Sequence, residues 1–269
     1  MSKFVTAPII EKWYNKLGFD SKYDAQFYEA LATIEIAPGT YTKNYPYDSE
    51  DGKKNFLAVL YMCEGLEKEY AQRGISKKIL MDSLADVVRW TDVYSEIKGE
   101  LYLGNLGWLY NIPELFLFRL GRLMYCVHYA DDRFIPFGLQ PGDMFLGIHI
   151  PPGEPLNVDA CKESIEMARQ FYAKYFPERD YKCFFCKSWL LDDTLKELLP
   201  EGSNILKFAE LFTKVSSEPS DDILEYVFRV DATRENIDQF PCKSSLAVKV
   251  KEYIKAGRQF YETRGMLPR

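Results

Sequence analysis

The sequence predicts an α+β protein, with a helical N-terminal part followed by a sheet that carries packed helices, and three observations lead there. Apolar residues of the first third recur at helical steps. Near Trp108 the pattern changes to β-branched, aromatic and aliphatic residues. After that, a strand (Met144 to Ile150), an amphipathic helix (Asn157 to Phe176) and a second strand (Tyr181 to Trp189) follow in order.

In the first third, Ile9, Trp13 and Leu17 are spaced by four, Phe27, Leu31 and Ile34 by four and three, and Leu80, Leu84, Val87 and Val88 repeat the period. Pro38-Gly39 and the polar run Ser49 to Lys54 mark breaks. Trp13, Tyr14, Phe27 and Tyr28 sit at this helical spacing and are expected in the core. Leu115 to Tyr129, around Gly121, predicts a hairpin or a bent strand pair. The strand Met144 to Ile150 ends at Pro151-Pro152, which have no N–H to continue a ladder. Val158, Cys161, Ile165, Ala168, Tyr172 and Tyr175 then form a stripe at steps of three and four, with Asn157 as N-cap. Further elements are expected as a strand over Tyr181 to Leu191, short helices over Asp193 to Leu199 and Ser203 to Phe212, a strand over Ile223 to Val230 and a helix over Ser245 to Phe260. The division falls between residues 1–107 and 108–269.

Hydrophobic residues make up 47% and charged residues 28%, enough apolar material for real cores. A net charge of −6 gives no general attraction to nucleic acid or anionic lipid, so neither is an expected partner. No apolar run approaches the roughly 20 residues of a membrane span, and Met1 to Pro8 lacks the apolar centre of a signal peptide, so the expected location is cytoplasmic. Six cysteines are too sparse for a disulfide scaffold and are read as reduced. Cys183 and Cys186 lie three apart on a strand, hence on opposite faces, and cannot share one ion; no metal is expected.

Strand, helix and strand make a β-α-β unit, so the two strands are expected parallel with a right-handed crossover. Ligands of open α/β sheets settle outside the C-terminal strand ends, which singles out His149 on the first strand and Ser188 on the second.

Gly147 to Leu156, Ala160-Cys161 and Ser164, Cys186 to Asp192, Leu199-Pro200 and Ser203 to Ile205, with Phe208 and Phe212 beyond and Phe118 to Leu123 before, resemble the GNAT-like C-terminal domain of a bacterial family of predicted N-acyltransferases. In that family a helical N-terminal domain precedes the GNAT-like part. The resemblance implies a mixed sheet whose two central parallel strands splay apart, so that the arm of an acyl thioester lies between them and meets an acceptor amine. It implies acyl-CoA or an acyl-carrier thioester as cosubstrate, with a small-molecule acyl acceptor and an acyl carrier protein as the partners to consider. One departure is local: Pro151 to Leu156, with a single Gly153, stands where the superfamily carries an Arg or Gln followed by spaced glycines for pyrophosphate.

On that reading His149 is base or carbonyl anchor, Ser188 assists the leaving thiolate, and Cys186 shares its strand face. The backbone N–H groups of residues 149 to 153 not supplied by proline hold the oxyanion, and Ile150, Gly153 and Asn157 at the helix start form the donor-binding set. Trp189, Asn204, Arg119 and Arg122 are candidates for substrate contact. Each has a plainer role: a buried histidine bonded to backbone, a packed Cys186, a core Trp189, a helix cap of Ser203 and Asn204, and exposed turn arginines. A binding or sensor protein that keeps the fold without the chemistry is the rival reading.

Overall fold

The structure, a computed structural model, describes residues 4–39 and 51–269. By contact the chain divides into two units, Met1–Arg119 and Leu120–Arg269. The first holds five helices among its described residues: α1 (Ala7–Leu17), α2 (Asp24–Thr33), α3 (Gly52–Arg73), α4 (Lys77–Lys98) and the short α5 (Leu106–Leu109). Asp51 starts α3 by accepting from the N–H groups of Lys53 and Lys54, each at 3.0 Å, and Ser76 caps α4. Trp13, Tyr14 and Phe27 are buried as their spacing predicts, with Tyr14 stacked on Phe27 and Phe56 buried beside them, whereas Tyr28 is 46% exposed and leaves the expected core. Of the polar run Ser49 to Lys54, the first two residues lie outside the described residues, and Gly52 to Lys54 form the first turn of α3.

Next come β1 (Leu117–Leu120), β2 (Leu123–Tyr129), β3 (Met144–His149), α6 (Val158–Tyr175), β4 (Cys183–Ser188), α7 (Leu195–Leu198), α8 (Asn204–Ala209), β5 (Thr213–Pro219), α9 (Asp222–Val227), α10 (Ser245–Lys255) and β6 (Tyr261–Pro268). The six strands form one sheet in the order β1-β2-β3-β4-β6-β5. β3 and β4 are parallel, while β2–β3, β4–β6 and β5–β6 are antiparallel, so the sheet is mixed.

Strand alternation and register give the sheet two unlike faces. Tyr125, Ile148, Phe184, Cys186 and Ser188 share the face covered by α6. There the stripe Cys161, Ser164, Ile165, Ala168, Phe171 and Tyr172 is buried, and the Tyr125 ring packs on Phe184 at 5.7 Å. Ser164 ties the helix to the β1–β2 turn: its hydroxyl donates to the Leu120 carbonyl, accepts from the Leu123 N–H at 3.1 Å and meets the Tyr125 hydroxyl at 3.0 Å. The opposite face carries Cys126, His128, Phe145, Gly147, His149, Phe185 and Lys187. One end of it is covered by the 3-10 turn Asp132–Phe137, whose Phe134 packs on Phe145 and Phe185.

Four expectations are corrected. The strand expected over Ile223 to Val230 is instead helix α9: Ile223 and Leu224 are buried and Val227 and Phe228 pack on the same cluster, a helical spacing that outweighs their β-propensity. The strand from Tyr181 stops at Ser188, where Trp189–Leu191 form a 3-10 turn. The last helix ends at Lys255, and strands β5 and β6 were not anticipated.

Candidate active site

β3 and β4 stay in register at two pairs, Leu146↔Phe184 and Gly147↔Phe185. Past that point each keeps pairing with its outer neighbour. β3 runs on against β2 through Tyr125↔Ile148 and Met124↔His149, and β4 against β6 through Lys187↔Arg264 and Ser188↔Thr263. The two central parallel strands therefore part at their C-terminal ends, and Pro151 and Pro152 follow directly, where no N–H can close the gap.

His149 closes β3 and is half-buried on the face opposite α6. Burial, and then the nearby His128, depress its imidazole from the ordinary value to about 3, so it is neutral across the physiological range. Its ring stands 6.1 Å from that of His128, which burial also lowers. Both rings overlie Gly147, where a Cβ would come within 2.7 Å of His128. Lys187, the next residue of this face on β4, is ion-paired with Glu262, and Arg264 beside it reaches Glu218 at 2.6 Å. The Glu262 side chain is 12% exposed; burial raises its carboxyl and Lys187 opposes the shift.

Ser188 lies on the other face, at the end of β4, and its hydroxyl accepts from the Leu190 N–H at 3.1 Å. Cys186 is on that same face and fully buried, and burial pushes its thiol up, so it stays protonated. His149 and the pair Cys186 and Ser188 thus flank the gap from opposite faces.

The segment after β3 is shaped by Arg122. Its guanidinium donates from Nη1 to the Pro151 carbonyl at 2.8 Å, from Nη2 to that of Glu154 at 2.8 Å and from Nε to that of Pro155 at 3.0 Å. It is not the exposed turn arginine that the sequence suggests: it is 7% exposed and three of its five donors go to backbone carbonyls. Gly153 sits at the tip of this segment with φ +93°, and Ile150 precedes it. Asn157 caps α6 by accepting from the Asp159 and Ala160 N–H groups. Arg119 takes a different environment. Its N–H donates to Ser83 at 2.9 Å, and its charge helps hold down the buried Asp86 carboxyl, which burial raises. Trp189 is half-buried and stacks on Tyr226, Ser203 caps α8, and Asn204 is exposed at its start.

Gly147, His128, Lys187, Glu262 and Arg264 were not among the site residues proposed from sequence. Period-2 alternation places Gly147 with His149 and Lys187 with Phe185, a signal within reach; the β2 and β6 residues depend on long-range register.

The family model of the GNAT-like C-terminal domain matches residues 117–267, and that of the N-acyltransferase N-terminal domain matches residues 6–115. The first alone spans more than half of the chain, which therefore belongs to the GNAT-like C-terminal domain family. Among solved structures, an acyltransferase in complex with CoA and 10C-teicoplanin is 28% identical with a TM-score of 0.71, over 83% of this chain and 69% of that one. An acyltransferase in complex with decanoyl-CoA is 27% identical with a TM-score of 0.71, over 97% and 76%. A third, with decanoyl-CoA and teicoplanin, shares the fold at 24% identity and a TM-score of 0.78, over 96% and 87%. No curated protein matches the chain.

Proposed function

We propose that the protein is an acyltransferase that moves an acyl group from acyl-CoA to the amine of a small-molecule acceptor by direct attack, without a covalent enzyme intermediate. The parting of β3 from β4 beside His149 carries this reading, since it leaves a slot between two parallel strands for the thioester arm. The likeness to acyltransferases in complex with CoA and decanoyl-CoA supports the donor.

The acceptor attacks as its free amine: its nitrogen adds to the thioester carbonyl and the C–N bond forms, collapse of the oxyanion breaks the C–S bond, the proton given up by the nitrogen passes to solvent, and the sulfur takes one from solvent through the Ser188 hydroxyl and leaves as the thiol. A neutral imidazole whose conjugate acid lies near 3 is a poor acceptor for an ammonium proton but a sound hydrogen-bonding group, so His149 serves as anchor at the carbonyl. The N–H groups of Ile150 and Gly153 assist it. In this reading Ser188, which accepts from the Leu190 N–H, donates its own O–H to the leaving sulfur. The charged end of the donor lies toward the N-terminus of α6, capped by Asn157 and shaped by Arg122. A thiol as buried as Cys186 has no part in direct attack.

A thermal-shift series with CoA, acetyl-CoA and longer acyl-CoA thioesters tests the donor. A ligand at about 100 times its Kd stabilises the native state by about 2.7 kcal/mol, and the expected result is a rise in midpoint that varies with acyl length. Absence of any shift would rule out a CoA donor, and a shift with an acylated carrier protein alone would reassign it. Thiol release in the presence of an amine separates catalysis from binding alone.

A further inference from the structure

We propose that His128 is a positioning residue that fixes the imidazole of His149, and that Gly147 is the residue that makes this possible. The inference rests on the reading of His149 as the anchor at the reacting carbonyl. In the β2–β3 ladder His128 lies opposite Phe145, and Cys126 opposite Gly147. His128 therefore reaches the space above Gly147 diagonally, within the range of a long side chain on a neighbouring strand. A Cβ at position 147 would lie 2.7 and 2.8 Å from Cδ2 and Nε2 of His128, and 3.3 Å from Nε2 of His149. The space that any other residue would fill at the centre of this face is shared by the two imidazoles.

His128 is braced from behind. Its ring stacks on Phe145 at 5.4 Å and 22°, and Phe145 in turn contacts Phe134 at 4.8 Å and Phe185 at 5.4 Å. A line of packed rings thus runs from the apolar cluster beneath the turn Asp132–Phe137 to His128, whose ring centroid lies 6.1 Å from that of His149. Such bracing decides the direction of the His149 nitrogens, and small misplacements of a reacting group are costly in rate.

The test is a pair of cycles. His128→Ala is expected to lower kcat by about 10-fold, toward the lower end of what misplacement costs, with little change in the KM for acyl-CoA. In a His149→Ala background it should add nothing, because it acts through that ring. An equal loss in both backgrounds, or no loss in either, would overturn the proposal. The second cycle reads melting and needs no turnover: Gly147→Ala should lower the midpoint sharply, and adding His128→Ala should recover part of it, since the colliding ring is gone. If G147A and G147A/H128A melt alike, the contact does not govern this face. Wild-type protein that turns over no acyl-CoA would defeat the acyl-transfer reading itself, while the melting cycle would still decide the packing.

Discussion

His149→Ala is expected to fold with a melting profile close to that of the native chain and to lose about 10²–10³-fold in kcat, the range that removal of one group stabilising an oxyanion or moving a proton produces. The fold should survive, because His149 is half-buried at the end of β3 and the register with β2 is made by backbone. Steady-state release of free thiol, with and without an amine acceptor, is the measurement. Native turnover in this variant would remove His149 from the chemistry and shift attention to Lys187 and Glu262 on the same face.

The same histidine gives stability a pH dependence of definite sign. In the unfolded chain it takes up a proton near its ordinary value of about 6.5, whereas in the folded protein it does so only near 3. Between those limits the unfolded state binds more protons, so stability falls as the pH drops from 6.5 toward 3. His128 is shifted in the same direction and adds to the fall. Urea midpoints at pH 7 and pH 5 should differ less in His149→Ala than in the native chain; equal differences would mean that the imidazole is protonated in the folded state as readily as in water.

The β3–α6–β4 unit was legible because its signals are local. A run of apolar residues, two prolines that end it, an Asn that caps the next helix and an apolar stripe at steps of three and four lie within one stretch of chain. β5 and β6 carry no comparable signal: Thr213–Pro219 is a polar edge strand, and Tyr261–Pro268 mixes charges and Gly265 with few apolar residues. They are strands because β4 offers an edge and each pairs in turn, a tertiary cause. The site divides in the same way. His149 and Ser188 follow from strand ends, but the His128 contact and the Arg122 clamp join residues about twenty to thirty apart in sequence, and nothing near either residue announces its partner.

Arg122→Ala is expected to cost about 3 kcal/mol of folding stability. Each bond from a guanidinium to a carbonyl is charge-assisted and contributes more than a neutral one, roughly 1.5–3 kcal/mol. Water can reach the exposed residues Pro152 to Pro155 and re-solvate some of the released carbonyls, which keeps the loss below the sum of three bonds. The Pro151 carbonyl, on a buried residue, is the one least able to recover. Lysine cannot reproduce the planar fork, so Arg122→Lys should retain the charge yet recover only a minor part of the loss. Urea unfolding of the three proteins measures this, and an Arg122→Ala midpoint equal to that of the native chain would show that the segment holds its shape without the clamp. Because the segment joins the end of β3 to the start of α6, the KM for acyl-CoA should rise in the same order as stability falls, with kcat less affected; a fall in kcat at constant KM would instead mean that Arg122 supports His149 and not the donor.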